Sequence, residues 1–411
     1  MNLPKFYTKT LKNKLEIVAI PMNKGSDVVS VNIIYKVGSR NEVMGKSGIA
    51  HMLEHMNFKS TKNLSEGEFD KIVKSIGGVD NAFTSFDYTQ YFIKSSSRHL
   101  KKDLELFAEV MENLKLTDEE FQRERKVVYE ERLWRTDNNP LGYLYFRLFN
   151  NAYLYHPYHW TPIGFKEDIL NWSIDDIKEF HKTFYQPKNA VIIVAGDIDK
   201  DEVFKIAQKK FSHIKNRKKI PKVHQIEPPL DGDKKIIVHK DTQTEMIAIA
   251  YQIPNFAHED ITSLSALSEI LSQGKSSILN KKLMYDKELV NQIYAYPMDN
   301  IDNGLFLILA VCNPGVKAEK VEKEIKKILT NYKISKKELK KLKLNTKMDF
   351  ITSLESSDSV AQVFGSYFAK GDIKPLLEYE EKINNLTTQK LLDMKKYFNK
   401  NITVILKPKE Q

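Results

Sequence analysis

Residues 47–61 read SGIAHMLEHMNFKST. Within them His51 and His55 stand four apart, with Glu54 directly before the second histidine. On a helix, positions four apart lie on one face, a turn from each other. Both imidazoles can therefore face a single ion. Neutral imidazole is a good zinc ligand, and two of them call for a third ligand and an open position for water. Glu54 sits one turn from His51 and can reach such a water without ligating the ion, which is the placement of a general base. The plainer reading is an amphipathic helix with unusual decoration. Against it, small residues lead in at Ser47, Gly48 and Ala50, and apolar ones fill Ile49, Met52, Leu53 and Met56. Such a helix is buried yet carries three ionisable groups, and a metal gives them partners.

The third ligand should be a carboxylate or histidine from another element. FQRERKVVYEERLWR, residues 121–135, offers Glu124 and Glu131, seven apart and so two turns along one helix face. Exposed helix glutamates are usually merely solvated. A competing pair, His156 and His159, lies in the Pro-containing aromatic segment YHPYHW and reads as packing or substrate-facing.

The rest of the chain sets the frame for this motif. Its 411 residues suffice for two to four domains, and 41% hydrophobic with 10% aromatic content describes a folded chain rather than a disordered one. The net charge of +10 gathers locally at KNRKK (215–219) and KKELKKLKLNTK (336–347). With no RNP-like aromatic motif or zinc-finger cysteine spacing, these clusters read as solvated lysine-rich faces, and no nucleic-acid partner is expected. The single cysteine, Cys312, excludes an internal disulfide and reads as a buried strand residue in LFLILAVCNPG. No stretch has the roughly 18 apolar residues of a membrane span, and the N-terminus lacks the apolar core of a signal peptide. The expectation is a cytoplasmic protein with no membrane partner.

Periodicity gives strands at 14–22 and 27–39, the second with an alternation that suggests one wet face. Helices follow at 47–58 and 66–76, then a hairpin, VDNAFTSFD with YTQYFIKSS. Helices come next at 100–114 and 118–135, the second opened by a capping box at Thr117–Glu120. A helix begun by Ser173 and a strand at 189–197 close this half. The proline-rich, charged stretch 216–235 reads as a linker. Strands at 235–240 and 245–253, helices at 259–272 and 276–287, and strands at 290–297 and 304–312 then repeat the order. Helices fill 317–397 and a strand closes at 401–408. The endings FYQPKNAVIIV and YFNKNITVILK are alike. The expectation is an α+β fold made of two tandem homologous domains, each a mostly antiparallel sheet packed with helices. The division is 1–215, a linker at 216–235, and 236–411 without metal ligands.

GIAHMLEHMNFKST resembles the inverted H-x-x-E-H zinc motif of the pitrilysin/insulinase peptidase family, near its mitochondrial-processing-peptidase branch. RERKVVYEE places Glu131 seventy-six residues beyond His55, the spacing of that family's third ligand. The resemblance extends through GGVDNAFTSFDYTQYF and FYQPKNAVIIVAGDID and covers essentially the whole chain. It implies His51, His55 and Glu131 as Zn2+ ligands, Glu54 as catalytic base, and Glu124 supporting the site. It further implies that extended peptide adds to a sheet edge at Asn81, Ala82 and Phe83. The two halves would form half of a clam-shell chamber.

One departure qualifies this. Active single-chain members carry an Arg and a Tyr, seven apart, that bind substrate and stabilise the oxyanion. Here Met284 and Asn291 stand at those places in LMYDKELVNQI. Either Tyr285, Lys281 or Lys282 substitutes, or a partner supplies the pair. The expectation is thus a zinc metalloendopeptidase working as a homodimer or as a heterodimer with an Arg/Tyr-bearing homologous subunit. The alternative is a non-catalytic scaffold or binding subunit of the same fold, although such subunits typically lose the ligands present here.

Overall fold

The computed structural model describes residues 3–409. Its first sheet is built on runs of β-branched and aliphatic residues: β2 (Glu16–Pro21), β3 (Val28–Tyr35) and β6 (Ala190–Gly196). With β1 (Tyr7–Thr10), β4 (Val79–Thr84) and β5 (Thr89–Ser96), the order is β1-β2-β6-β3-β5-β4. Only β2 and β6 pair in parallel. Period-two geometry sends alternate side chains to opposite faces. Ile192 and Val194 therefore join the main core with the helix Ile49–Met56, while Val191, Ile193 and Ala195 enter a second cluster with Val360, Ala361 and Phe364.

That second cluster corrects one expectation. The alternating face of β3 is not wet: Ser30 and Asn32 are fully buried. The helix Ser357–Lys370 packs on β3 and β6. The polar groups beneath it satisfy one another, with Asn32 donating to Ser30 at 2.9 Å and Gln90 donating to Asn32 at 2.7 Å. Polar side chains read as solvated because pattern alone cannot distinguish water from a buried partner.

The second sheet contains β7 (Lys234–Lys240), β8 (Met246–Ile253), β9 (Val290–Pro297), β10 (Gly304–Cys312) and β11 (Ile402–Pro408). Its order, β7-β11-β8-β10-β9, reproduces β2-β6-β3-β5-β4, including one parallel pair at the corresponding place. The expected α+β class with two similar sheets is what the structure shows. The helix Pro140–Ala152 packs on β8 and β11, as Ser357–Lys370 packs on β3 and β6.

The chain forms two compact units that interleave along the sequence. One takes 1–130, 160–224 and 350–377; the other takes 131–159, 225–349 and 378–411. Each thus includes a helical segment from the opposite half of the chain, a departure from the linear division 1–215, 216–235 and 236–411. Among the described residues no helix is long and apolar enough to cross a membrane.

Candidate metal centre and its surroundings

The helix Ile49–Met56 is held hard at its N-terminus. Gly48 enters it at φ +86°, and a Cβ there would lie 2.8 Å from the Ile163 carbonyl oxygen. The orphan N–H groups of the first turn need acceptors. Glu42 supplies them, accepting from Gly48 N–H and Ala50 N–H, each at 2.8 Å, and from the Trp160 indole at 2.7 Å. Burial pushes the Glu42 carboxyl up to about 8, while these hydrogen bonds pull the other way. Ser47 is tied down separately, its N–H and hydroxyl donating to Asp168 at 2.9 and 2.6 Å.

Beyond this anchor the motif helix presents its two imidazoles. The rings of His51 and His55 meet edge to face with centroids 4.8 Å apart. His55 Nδ1 lies 2.8 Å from Glu124 Oε1. A carboxylate accepts, so Nδ1 carries the proton and Nε2 is left with a lone pair. Lys59 Nζ sits 2.6 Å from the other oxygen of Glu124. Burial alone would raise the Glu124 carboxyl, but the His55 hydrogen bond and the Lys59 ammonium outweigh it and hold it below its ordinary value.

Glu124 and Glu131 share the unbroken helix Asp118–Arg132, which Thr117 caps by accepting from Glu120 N–H at 3.3 Å. A π-helical turn, Leu133–Asp137, follows at once, and Arg135 reaches back to Glu131 at 2.9 Å. The structure brings His51, His55 and Glu131 together: one ligand atom from each lies within 4.8 Å of the others. Two nitrogens and a carboxylate oxygen, one imidazole already fixed as the Nδ1–H tautomer, make a donor set suited to zinc. Glu54 is not a member of this set. Its Oε2 accepts the Thr84 hydroxyl from the end of β4.

Asn81, Ala82 and Phe83 lie on β4, which is an outer strand of the sheet. The N–H of Ala82 is met at 2.8 Å by the side-chain oxygen of Asn81.

Both competing histidines are hydrogen-bonded within the fold. His156 Nδ1 accepts from Tyr158 N–H at 3.1 Å, and its Nε2 is 2.9 Å from Asp302. His159 Nδ1 donates to the Tyr153 carbonyl at 2.6 Å. Met284 lies in a π-helical segment, Asn280–Asp286, half-buried against the second core, and Asn291 is exposed on β9. Lys281 is engaged by Asp286 at 2.8 Å, and Tyr285 is exposed. Cys312 is buried, and burial pushes its thiol up to about 12, so it carries no reactive thiolate.

Sequence reasoning missed Glu42, Asp168 and Thr84. Thr84 and Asp168 find their partners 30 and 121 residues away, and Glu42 joins Gly48 and Ala50 nearby to Trp160 at 118 residues' distance, bonds that no helical or strand period announces.

A two-sheet α+β fold with this inverted histidine–glutamate group is the architecture of a zinc-peptidase family. Residues 17–154 match the family model described as Insulinase (Peptidase family M16), and residues 171–346 match the one described as Peptidase M16 inactive domain. The chain belongs to the M16 family. It is 51% identical, over 99% of its length and 94% of the relative's, to a protein named zinc protease PqqE of Helicobacter pylori. It is 26% identical to the mitochondrial-processing peptidase subunit beta of Bos taurus, covering 89% of this chain and 76% of that one. Among solved structures, a protease from Helicobacter pylori superposes with TM-score 0.97 at 50% identity, covering 99% of this chain and 100% of that one. An M16 inactive-domain structure from Pseudomonas fluorescens shares the fold, with TM-score 0.88 at 17% identity and coverage of 99% and 98%.

Proposed function

We propose that this chain is a zinc-dependent peptidase that hydrolyses bonds within extended peptides. The observation that carries the reading is the convergence of His51, His55 and Glu131, with Glu54 outside the ligand set. His51, His55 and Glu131 would hold the zinc, which when bound would supply Lewis acidity toward a water and a carbonyl. Glu124 keeps the His55 proton on Nδ1 and so presents Nε2. The Glu54 carboxylate takes the proton of the attacking water and passes it to the leaving amine. An extended peptide adds to β4 along Asn81, Ala82 and Phe83, in the manner of β-augmentation.

The chain lacks the Arg and Tyr of single-chain enzymes at Met284 and Asn291. The reading therefore includes a homologous partner subunit that brings them. Names of relatives such as zinc protease and mitochondrial-processing peptidase subunit beta support the class.

Metal analysis with Glu54→Gln tests it. Wild type should hold close to one zinc per chain. The variant should keep the zinc and lose cleavage by about 10²-fold or more, because the base is not a ligand. A wild-type chain that binds no divalent metal at neutral pH overturns the peptidase reading in favour of a scaffold. A homodimer of this chain alone with full activity overturns the partner requirement.

A further inference from the structure

We propose that Thr84 is a positioning residue that registers a peptide on the β4 edge against the Glu54 carboxylate, an inference that rests on the peptidase reading. Thr84 is the last residue of β4 and pairs with Thr89 across the hairpin. Next to it, Ser85 N–H donates to the Tyr88 carbonyl at 2.8 Å, which makes 85 and 88 a hydrogen-bonded pair. Antiparallel ladders alternate bonded and non-bonded pairs. The pairs Thr84–Thr89 and Ala82–Tyr91 are then non-bonded, so the backbone N–H and C=O of Ala82 and Thr84 point away from β5. The bond from Ala82 N–H to the Asn81 side chain agrees with that parity. These outward groups are the ones an added strand would use.

The same residue reaches inward with its hydroxyl, which donates to Glu54 Oε2. One residue therefore has its backbone on the docking edge and its side chain on the base. β-Branching restricts its χ1 and so aims the hydroxyl. A second tie keeps the motif helix and the hairpin in register: Asn57, just past the helix end, donates to the Tyr91 hydroxyl on β5. Sliding or tilting β4 would move this tether of the Glu54 carboxylate, and a charge-assisted bond of this kind is among the stronger ones.

The test uses the wild-type chain with its native partner and a fluorescence-quenched extended peptide. Thr84→Val keeps the shape and branching but removes the donor. It should lower kcat on the order of tenfold with KM within about twofold, at unchanged zinc per chain. Thr84→Ser should recover most of the loss. In the Glu54→Gln background, Thr84→Val should add nothing further. Wild-type kcat in Thr84→Val, equal impairment of the Val and Ser variants, or loss of zinc in Thr84→Val each overturns the proposal while leaving the peptidase reading intact. A wild-type assembly that neither holds zinc nor cleaves overturns the reading and this proposal together.

Discussion

Glu124 stands outside the His51–His55–Glu131 group, yet it decides which nitrogen of His55 is presented. Its two oxygens are divided between His55 and Lys59. Replacing it with Gln keeps the shape but turns a full charge into a dipole. Zinc affinity of Glu124→Gln, measured by competition with a chelator, should fall about 10- to 100-fold, whereas His55→Ala should abolish stoichiometric zinc. At this scale the sequence was legible where the chemistry is local. His51, Glu54 and His55 declare themselves through helical spacing. Glu131 did not: spacing left it beside Glu124 and the His156–His159 pair, and only the family resemblance singled it out. The structure groups Glu131 with the two histidines and places His156 beside Asp302 and His159 on the Tyr153 carbonyl.

Among elements, the motif helix depends most on what precedes it. Gly48 adopts a left-handed φ and has backbone of residue 163 against its α-carbon. Gly48→Ala meets both strain and collision, and should cost roughly 1–3 kcal/mol. A lowered thermal midpoint with reduced zinc per chain would be seen, because the helix start carries the Glu42 clamp. Strand and helix positions were largely readable from periodicity, since β-branched runs and amphipathic spacing are themselves local. The polar face of β3 was misread because the helix that buries it arrives more than three hundred residues later in the sequence.

For the whole molecule, acid sensitivity has an identifiable contributor. His181 is buried, and Arg217 donates to its Nδ1 at 3.2 Å. Burial, with the Arg217 charge, pushes its pKa down to about 3 from an ordinary 6.5. The folded state therefore holds His181 neutral, and the unfolded chain takes up a proton below 6.5. Its stabilising contribution is complete above pH 6.5 and is lost toward pH 3, at about 1.4 kcal/mol per pH unit. Glu42 titrates with the opposite sign, so the measurement is a comparison at each pH. Thermal midpoints of wild type should fall more steeply than those of His181→Gln between pH 6.5 and 4. If the two curves run parallel, His181 is not the contributor.

The exchanged helices have a consequence for how this chain can be divided. Ser357–Lys370 covers the β3–β6 face, and Pro140–Ala152 covers the β8–β11 face. A fragment ending at residue 215 would expose Val191, Ile193 and Ala195 to solvent, and its own helix 140–152 would have no sheet to lie on. Such a contiguous apolar surface promotes association. Expressed alone, residues 1–215 should aggregate, and co-expression with 216–411 should restore a soluble pair on size-exclusion chromatography. The gene can duplicate a sheet, but no single cut returns two self-sufficient proteins.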